Sequence, residues 1–283
     1  MLSTAQQVQY QADGYLVLPD FKTAAEVAAL RARAAQIVDA FDADRHRAVF
    51  STQDQARKTT NNAFLDSAEG IECFFEEEAF DAQGRLKQPK ALSINKIGHA
   101  MHDLDPVFAA FSHGPALAAL AADLGLRQPQ LWQSMYIFKQ PGIGGEVSWH
   151  QDASFFDTTP STVTAFWFAL EDATVDNGCL WVQPGGHRGP LRERFVRFAT
   201  PDGDAVRMDT LDATPWPDMA QAVPVPVRAG TLVCFHGLLP HWSAPNRSAQ
   251  SRHAFTLHAT DASAHYAAHN WLQRSAAHPV RGF

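Results

Sequence analysis

Val163-Thr164-Ala165-Phe166-Trp167-Phe168-Ala169-Leu170 is an almost unbroken apolar run, rich in aromatic and β-forming side chains. Eight residues are few for a buried helix and suit a strand covered on both faces. Asn177-Gly178 follows, a dipeptide that favours tight turns, and then Cys179-Leu180-Trp181-Val182, a second short strand. Outward from this pair, residues 131–138, 147–150, 231–235 and 254–259 have the same texture. Residues 223–227 alternate with prolines, which confines them to a sheet edge. Short strands separated by turns predict a mainly β fold, a double-sheet barrel of the cupin or jelly-roll kind, over residues 129–262.

Upstream the pattern is helical. Residues 4–12 read as a helix ending near Gly14, and Tyr15–Leu18 as a strand. Thr23-Ala24-Ala25-Glu26 is a capping box; it opens a helix with Val27, Leu30, Ala34, Ile37 and Phe41 at helical spacing. Residues 42–70 are polar and read as irregular. Asp105-Pro106 and Gly114-Pro115 each place proline in a first helical turn; Leu117, Leu120 and Leu124 line the second of these helices, which stops at Gly125. The expectation is one domain over 1–283, with helices in roughly 1–128 buttressing the barrel. Residues 199–222, rich in Asp and Pro, read as an insertion between strands, a surface loop with a lid as the alternative. Phe74-Phe75-Glu76-Glu77-Glu78 reads as a helix start or loop anchor without a role.

Of 283 residues, 46% are hydrophobic and 19% charged, the balance of a chain that buries a large core. The formal net charge is −7. That offers no basic surface for nucleic acid or an anionic membrane, and leaves a small molecule as the expected partner. Cys73, Cys179 and Cys234 form no CxxC pair and are expected to be small buried residues. No secretory pattern and no membrane-length apolar run is visible, so a reducing cytoplasm is the expected setting.

The chemistry-bearing residues sit at two distant places. His150-Gln151-Asp152 places an imidazole and a carboxylate at i and i+2, which on a strand point to one face. A second histidine would complete a set suited to iron(II) with open positions. By itself His-x-Asp also fits a hydrogen-bonded pair on a surface loop. Downstream lie His236, His241, His253 and His258. Two pairs have equal spacing, His236 with Arg247 and His241 with Arg252. Arg247 falls in a polar turn, whereas Arg252 leads into a strand, which favours His241 and Arg252. An arginine fork suits a carboxylate, so iron and a 2-oxo acid are the expected pair. Two rivals stay open: a zinc-type hydrolase or isomerase on the same barrel, which would not need that fork, and a non-catalytic binding module. His187, beside a turn, reads as structural. Trp132, Trp167, Trp181 and Phe168 read as barrel core, and Lys96 and Lys139 as surface lysines.

Taken together, His-x-Asp, His241-Trp242-Ser243-Ala244-Pro245-Asn246-Arg247-Ser248 and Arg252 resemble the phytanoyl-CoA dioxygenase family. Asn177-Gly178-Cys179-Leu180 with Pro184-Gly185-Gly186-His187 is similar to a further stretch of that family, with Gly186 where serine is usual. Residues 93–100, 133–141, 144–148, 150–155 and 270–273 resemble one branch of it, the phytanoyl-CoA dioxygenase domain-containing proteins, so the likeness covers nearly the whole chain. Trp149 departs from that branch, which has proline there. The resemblance implies a double-stranded β-helix and a dioxygenase using Fe(II), 2-oxoglutarate and O2 to hydroxylate a C–H bond. It implies His150, Asp152 and His241 as metal ligands and catalytic residues, and Arg252, Lys96, Met135 and Trp167 as the co-substrate's pocket.

Overall fold

The computed structural model describes residues 1–44, 46–50 and 62–283. The first part runs α1 (Thr4–Asp13), β1 (Tyr15–Leu18), α2 (Ala24–Ala40), α3 (Asn62–Asp66), β2 (Ile71–Phe75), β3 (Ile94–His99), α4 (Met101–Leu104), α5 (Pro106–Ser112) and α6 (Pro115–Asp123). The second runs β4 (Pro129–Ile137), β5 (Val147–His150), β6 (Thr158–Thr159), β7 (Thr164–Ala169), β8 (Leu180–Val182), β9 (Glu193–Thr200) and β10 (Gly203–Thr210). It closes with β11 (Val223–Val225), β12 (Leu232–His236), β13 (His241–Ser243), β14 (Ala254–Asp261) and β15 (His265–Tyr266).

Helix starts follow local chemistry. Thr23 accepts from the Glu26 amide while Glu26 reaches back to the Thr23 amide at 2.8 Å, the reciprocal box expected of that sequence. Ser3 and Gln6 make the same box for α1; such a cap contributes about 1 kcal/mol. Asp105 caps α5 with Pro106 in its first turn.

Two antiparallel sheets carry the barrel. The larger has the order β1-β12-β7-β14-β4-β3-β2, and the smaller β11-β8-β13-β5. The proline-bearing β11 is at an edge, as its sequence requires. Alternation divides the faces of the large sheet. Phe166, Phe168, Phe255, Leu257 and Tyr136 share a core with Leu30 of α2, Phe108 and Phe111 of α5 and Leu120 of α6. There Phe111 meets Phe168 edge-on at 5.1 Å and Phe255 at 5.7 Å. On the opposite face Ala165, Trp167 and Ala169 pack toward Leu180 and Val182 of β8 and Val225 of β11. The architecture is thus a mainly β double-stranded β-helix with helices against the outside of one sheet. Cys73, Cys179 and Cys234 are buried and unpaired. Among the described residues no helix is long and apolar enough to cross a membrane.

Several segments differ from the expectation. Residues 71–75 form β2, so Phe74 and Phe75 are strand core, not a helix start. Residues 94–99 form β3 beside it; buried Lys96 and His99 conceal that strand from a hydropathy reading. Within 42–70, residues 62–66 are helical and 67–69 form one 3-10 turn; residues 45 and 51–61 of that stretch lie outside the described residues. Residues 199–222 are only partly loop. Their first half belongs to the β9–β10 hairpin, whose eight paired positions run from Glu193 opposite Thr210 to Thr200 opposite Gly203.

Candidate metal centre and active-site cavity

His150 ends β5 and His241 begins β13, and the two are cross-strand partners. Their side chains therefore share a face, with ring centroids 4.0 Å apart. Asp152 is not on the strand. Gln151 keeps the chain extended (φ −123°, ψ 131°) and Asp152 opens a 3-10 turn, so the same-face geometry holds just far enough. Gln151 is buried and pinned by its own side chain. It donates to the Pro190 and Leu238 carbonyls at 3.0 and 2.9 Å and accepts from the Arg192 amide at 3.0 Å.

Asp152 Oδ1 lies 3.6 Å from Nε2 of both His150 and His241. One ligand atom of each residue can face a common ion; atoms bound to one ion at about 2.1 Å stand no more than about 4.2 Å apart. The donor chemistry fits too. His150 Nδ1 contacts the Ser148 carbonyl at 2.8 Å, and His241 Nδ1 the Leu239 carbonyl at 3.0 Å. A carbonyl only accepts, so both Nδ1 atoms carry hydrogen and Nε2 is the ring atom left to face an ion. Burial, and then the neighbouring His150, pull His241 down to about 4, which keeps it neutral at pH 7. Burial works to raise Asp152, but His258 and His241 outweigh it and hold the carboxyl well below the usual range. Asp152 Oδ2 is buried without a hydrogen-bond partner among the described residues.

His258 Nε2 stands 3.3 Å from Asp152 Oδ2, and its ring stacks on Phe156. The sequence reading gave His258 no role. Its signal lay in the alternation Arg252, Ala254, Thr256, His258, which puts His258 of β14 on the same cavity-facing side as Arg252 just before the strand.

Arg252 is 1% exposed. Its Nε donates to the Gly178 carbonyl at 3.0 Å, and Nη2 lies 3.5 Å from Ser243 Oγ. Its Cζ is 5.4 Å from the Trp167 ring. Nη1 is buried with no partner among the described residues, although an unsatisfied buried donor costs about 1–3 kcal/mol. Burial lowers this guanidinium to about 10, so it remains a cation at neutral pH. Ser243 lies two residues from His241 on β13, about 7 Å along the strand. Arginine and metal cluster thus share one wall.

These groups open on a cavity of about 430 Å³, within the usual range for small-molecule sites. Lys96, Met135 and Trp167 all line it. Lys96 is buried, not superficial, with Nζ 3.5 Å from the Phe50 ring centroid and 3.8 Å from Met135 Sδ. Lys139, also read as a surface residue, is 2% exposed. Trp149 lines the cavity, its ring stacked near Trp242. The β9–β10 hairpin contributes Glu193, Phe195, Met208 and Thr210, with Trp216 following; the stretch 199–222 is mostly at the surface, as expected, but Met208, Thr210 and Trp216 turn from it into the cavity. His236 and Arg247 are elsewhere. His236 faces His187 at 5.3 Å, and exposed Arg247 pairs with Glu78 at 2.8 Å. Phe168 and Trp132 are core; Trp132 stacks on Tyr266 at 3.6 Å. Trp181 is half-buried against Trp242.

Residues 10–254 match the family described as Phytanoyl-CoA dioxygenase (PhyH). Phytanoyl-CoA dioxygenase 1 of Oryza sativa subsp. japonica is 48% identical over 266 residues, 94% of this chain and 92% of its own length. Phytanoyl-CoA dioxygenase domain-containing protein 1 of Bos taurus is 45% identical over 278 residues, 96% and 95% of the two chains. Among solved structures, apo EctD from S. alaskensis is similar with a TM-score of 0.64 at 22% identity, covering 97% of this chain and 82% of its own. That likeness is one of fold. Identity near one half along almost the full length of both relatives goes further, and with the match over residues 10–254 it makes this chain a member of the phytanoyl-CoA dioxygenase family.

Proposed function

We propose that the chain is an Fe(II)- and 2-oxoglutarate-dependent dioxygenase that hydroxylates an unactivated C–H bond of a small organic or acyl substrate. One observation carries this reading. Two histidines whose Nδ1 atoms are held by backbone carbonyls, and a buried carboxylate, present ligand atoms to a common point, beside a buried arginine with a donor left without a partner among the described residues. A hydrolytic metal site has no use for that donor; a dicarboxylate co-substrate does.

His150, Asp152 and His241 would hold the iron, and three protein ligands leave positions for substrate chemistry. The bound iron(II), with 2-oxoglutarate and dioxygen, would supply the oxidation, one oxygen atom entering succinate as carbon dioxide leaves and the other entering the substrate. The chain's own residues orient and enclose. The Ser148 and Leu239 carbonyls fix the histidine tautomers. Arg252 takes the distal carboxylate, and Trp167 under its guanidinium keeps water away. Lys96 and Met135 complete the co-substrate wall. Phe155, Phe195 and Trp216 give the prime substrate an apolar approach. Residues 1–283 would act as one domain, and the three free buried cysteines suit a reducing compartment such as the cytoplasm.

The test is anaerobic. Metal-free protein given Fe(II) and 2-oxoglutarate should develop a visible metal-to-ligand charge-transfer band, and admission of oxygen should yield succinate. Bound metal without the band would mean that the 2-oxo acid does not chelate and would overturn the reading.

A further inference from the structure

Lys139 follows β4 with φ 44°, a left-handed conformation that side-chain-bearing residues seldom adopt. Its side chain passes under the Asn177-Gly178 turn. Gly178 permits this, since a Cβ there would stand 2.7 Å from Lys139 Cε. Nζ then donates to the Gly145 carbonyl at 2.6 Å and to Ser243 Oγ at 2.8 Å, and lies 3.4 Å from the Ser243 carbonyl. These contacts occupy its three N–H groups, so Lys139 needs no ligand of its own. Ser243 is the residue that Arg252 Nη2 also approaches, at 3.5 Å.

A hydroxyl has one proton and two acceptor directions. At Ser243 both acceptor directions face cations. The proton must be donated elsewhere, and the acceptor it suits is the carboxylate that completes Arg252 Nη1. We propose that Lys139 is a positioning residue for the distal carboxylate of a 2-oxo dicarboxylic acid, acting through Ser243 by fixing its hydroxyl as a donor to that carboxylate. The inference rests on the function proposed above. Energetics agree with it. Two buried cations sharing one hydroxyl are costly until an anion joins them. Burial, and then the charge of Arg252, pull the Lys139 ammonium well below the ordinary lysine range, while Glu76 and Glu146 oppose this. A carboxylate seated on Arg252 offsets that repulsion and holds the ammonium as a donor.

The experiment uses the whole chain with Fe(II) under anaerobic conditions, titrated with 2-oxoglutarate and with 2-oxopentanoate, which lacks the distal carboxylate. Lys139→Gln keeps two N–H groups for the carbonyls and removes the charge. It should weaken 2-oxoglutarate binding about tenfold, the factor of one charge-assisted hydrogen bond. Its affinity for 2-oxopentanoate, and for iron measured by chelator competition, should not change. Ser243→Ala should do the same, and the double variant should bind no more weakly than Ser243→Ala alone. Unchanged 2-oxoglutarate affinity, equal loss for both 2-oxo acids, or additive losses would each overturn the role. Should Lys139→Gln not fold, Ser243→Ala decides: retained preference for the dicarboxylate overturns the proposal. A wild-type protein that binds iron but shows no band with either acid fails at the earlier step, and the role of Lys139 falls with it.

Discussion

Strand β14 buries all eight of its residues, and β7 all six, whereas every residue of β5 is only half-buried and β13 is three residues long. The long strands belong to the seven-stranded sheet, squeezed between helices on one side and the cavity on the other. The short ones belong to the four-stranded sheet and bring His150 and His241 face to face. The difference teaches a division of tasks. Burial on the large sheet supplies stability, and cross-strand register on the small sheet supplies geometry. Arg252, on the approach to β14, and Ser243, on β13, are where the two meet.

The sharpest way to break that division is at the metal cluster. Asp152→Ala should abolish turnover and weaken iron binding by more than about a hundredfold, the upper end of what losing even an outer-shell partner costs. Its melting temperature without metal should stay close to wild type, and retained turnover would show the triad to be misassigned. The reciprocal change is Phe255→Ala, at a fully buried position on the helix-covered face. It should cost about 3–5 kcal/mol of unfolding free energy while iron affinity in the folded fraction is unchanged. A large shift in iron affinity would mean that the two sheets are not separable.

Arg252→Ala, at the junction, should weaken 2-oxoglutarate binding by about 1.5–3 kcal/mol and iron binding much less, read by titration of each. Equal losses would place Arg252 in the metal site. The smallest effect concerns acid. Burial works to raise Asp261, but hydrogen bonds from Ser263, Gln128 and Arg127 outweigh it and hold the carboxyl at about 2. Its unfolded value is about 3.9. A depressed carboxylate contributes fully above the unfolded value, and that contribution is lost as pH falls through the folded one. Asp261→Asn should therefore melt a few degrees below wild type near neutrality, and the gap should close between about pH 4 and pH 2. A gap independent of pH would mean that the end of β14 is held by something other than this carboxylate.

What the sequence disclosed follows the same line. The large sheet is made of hydrophobic runs, so β7, β12 and β14 were legible within a residue or two. The capping boxes at Ser3 and Thr23 are local chemistry; the second, with its Glu at N3, is the plainer in sequence. β3 was hidden because Lys96 and His99 point polar atoms into the interior. β13 was hidden because three residues carry no periodicity. The histidine and carboxylate types were legible, but the choice of His241 over His236 rested on context, and only register separates them spatially. Lys139 was misread because nothing in Phe138-Lys139-Gln140 tells a buried ammonium from a solvated one; its burial depends on Gly178, almost forty residues away.

Among the described residues the strands of the β9–β10 hairpin pair with each other, Val196 adds one isolated bridge to Asn270, and neither strand joins a sheet of the barrel. The hairpin nevertheless gives the cavity Glu193, Phe195, Met208 and Thr210. Part of the cavity lining is therefore carried by pairings separate from those that bring His150 and His241 together. Under the proposed function, exchanging residues 193–210 is expected to change which molecule the cavity admits while the strand register beneath His150 and His241 stays the same.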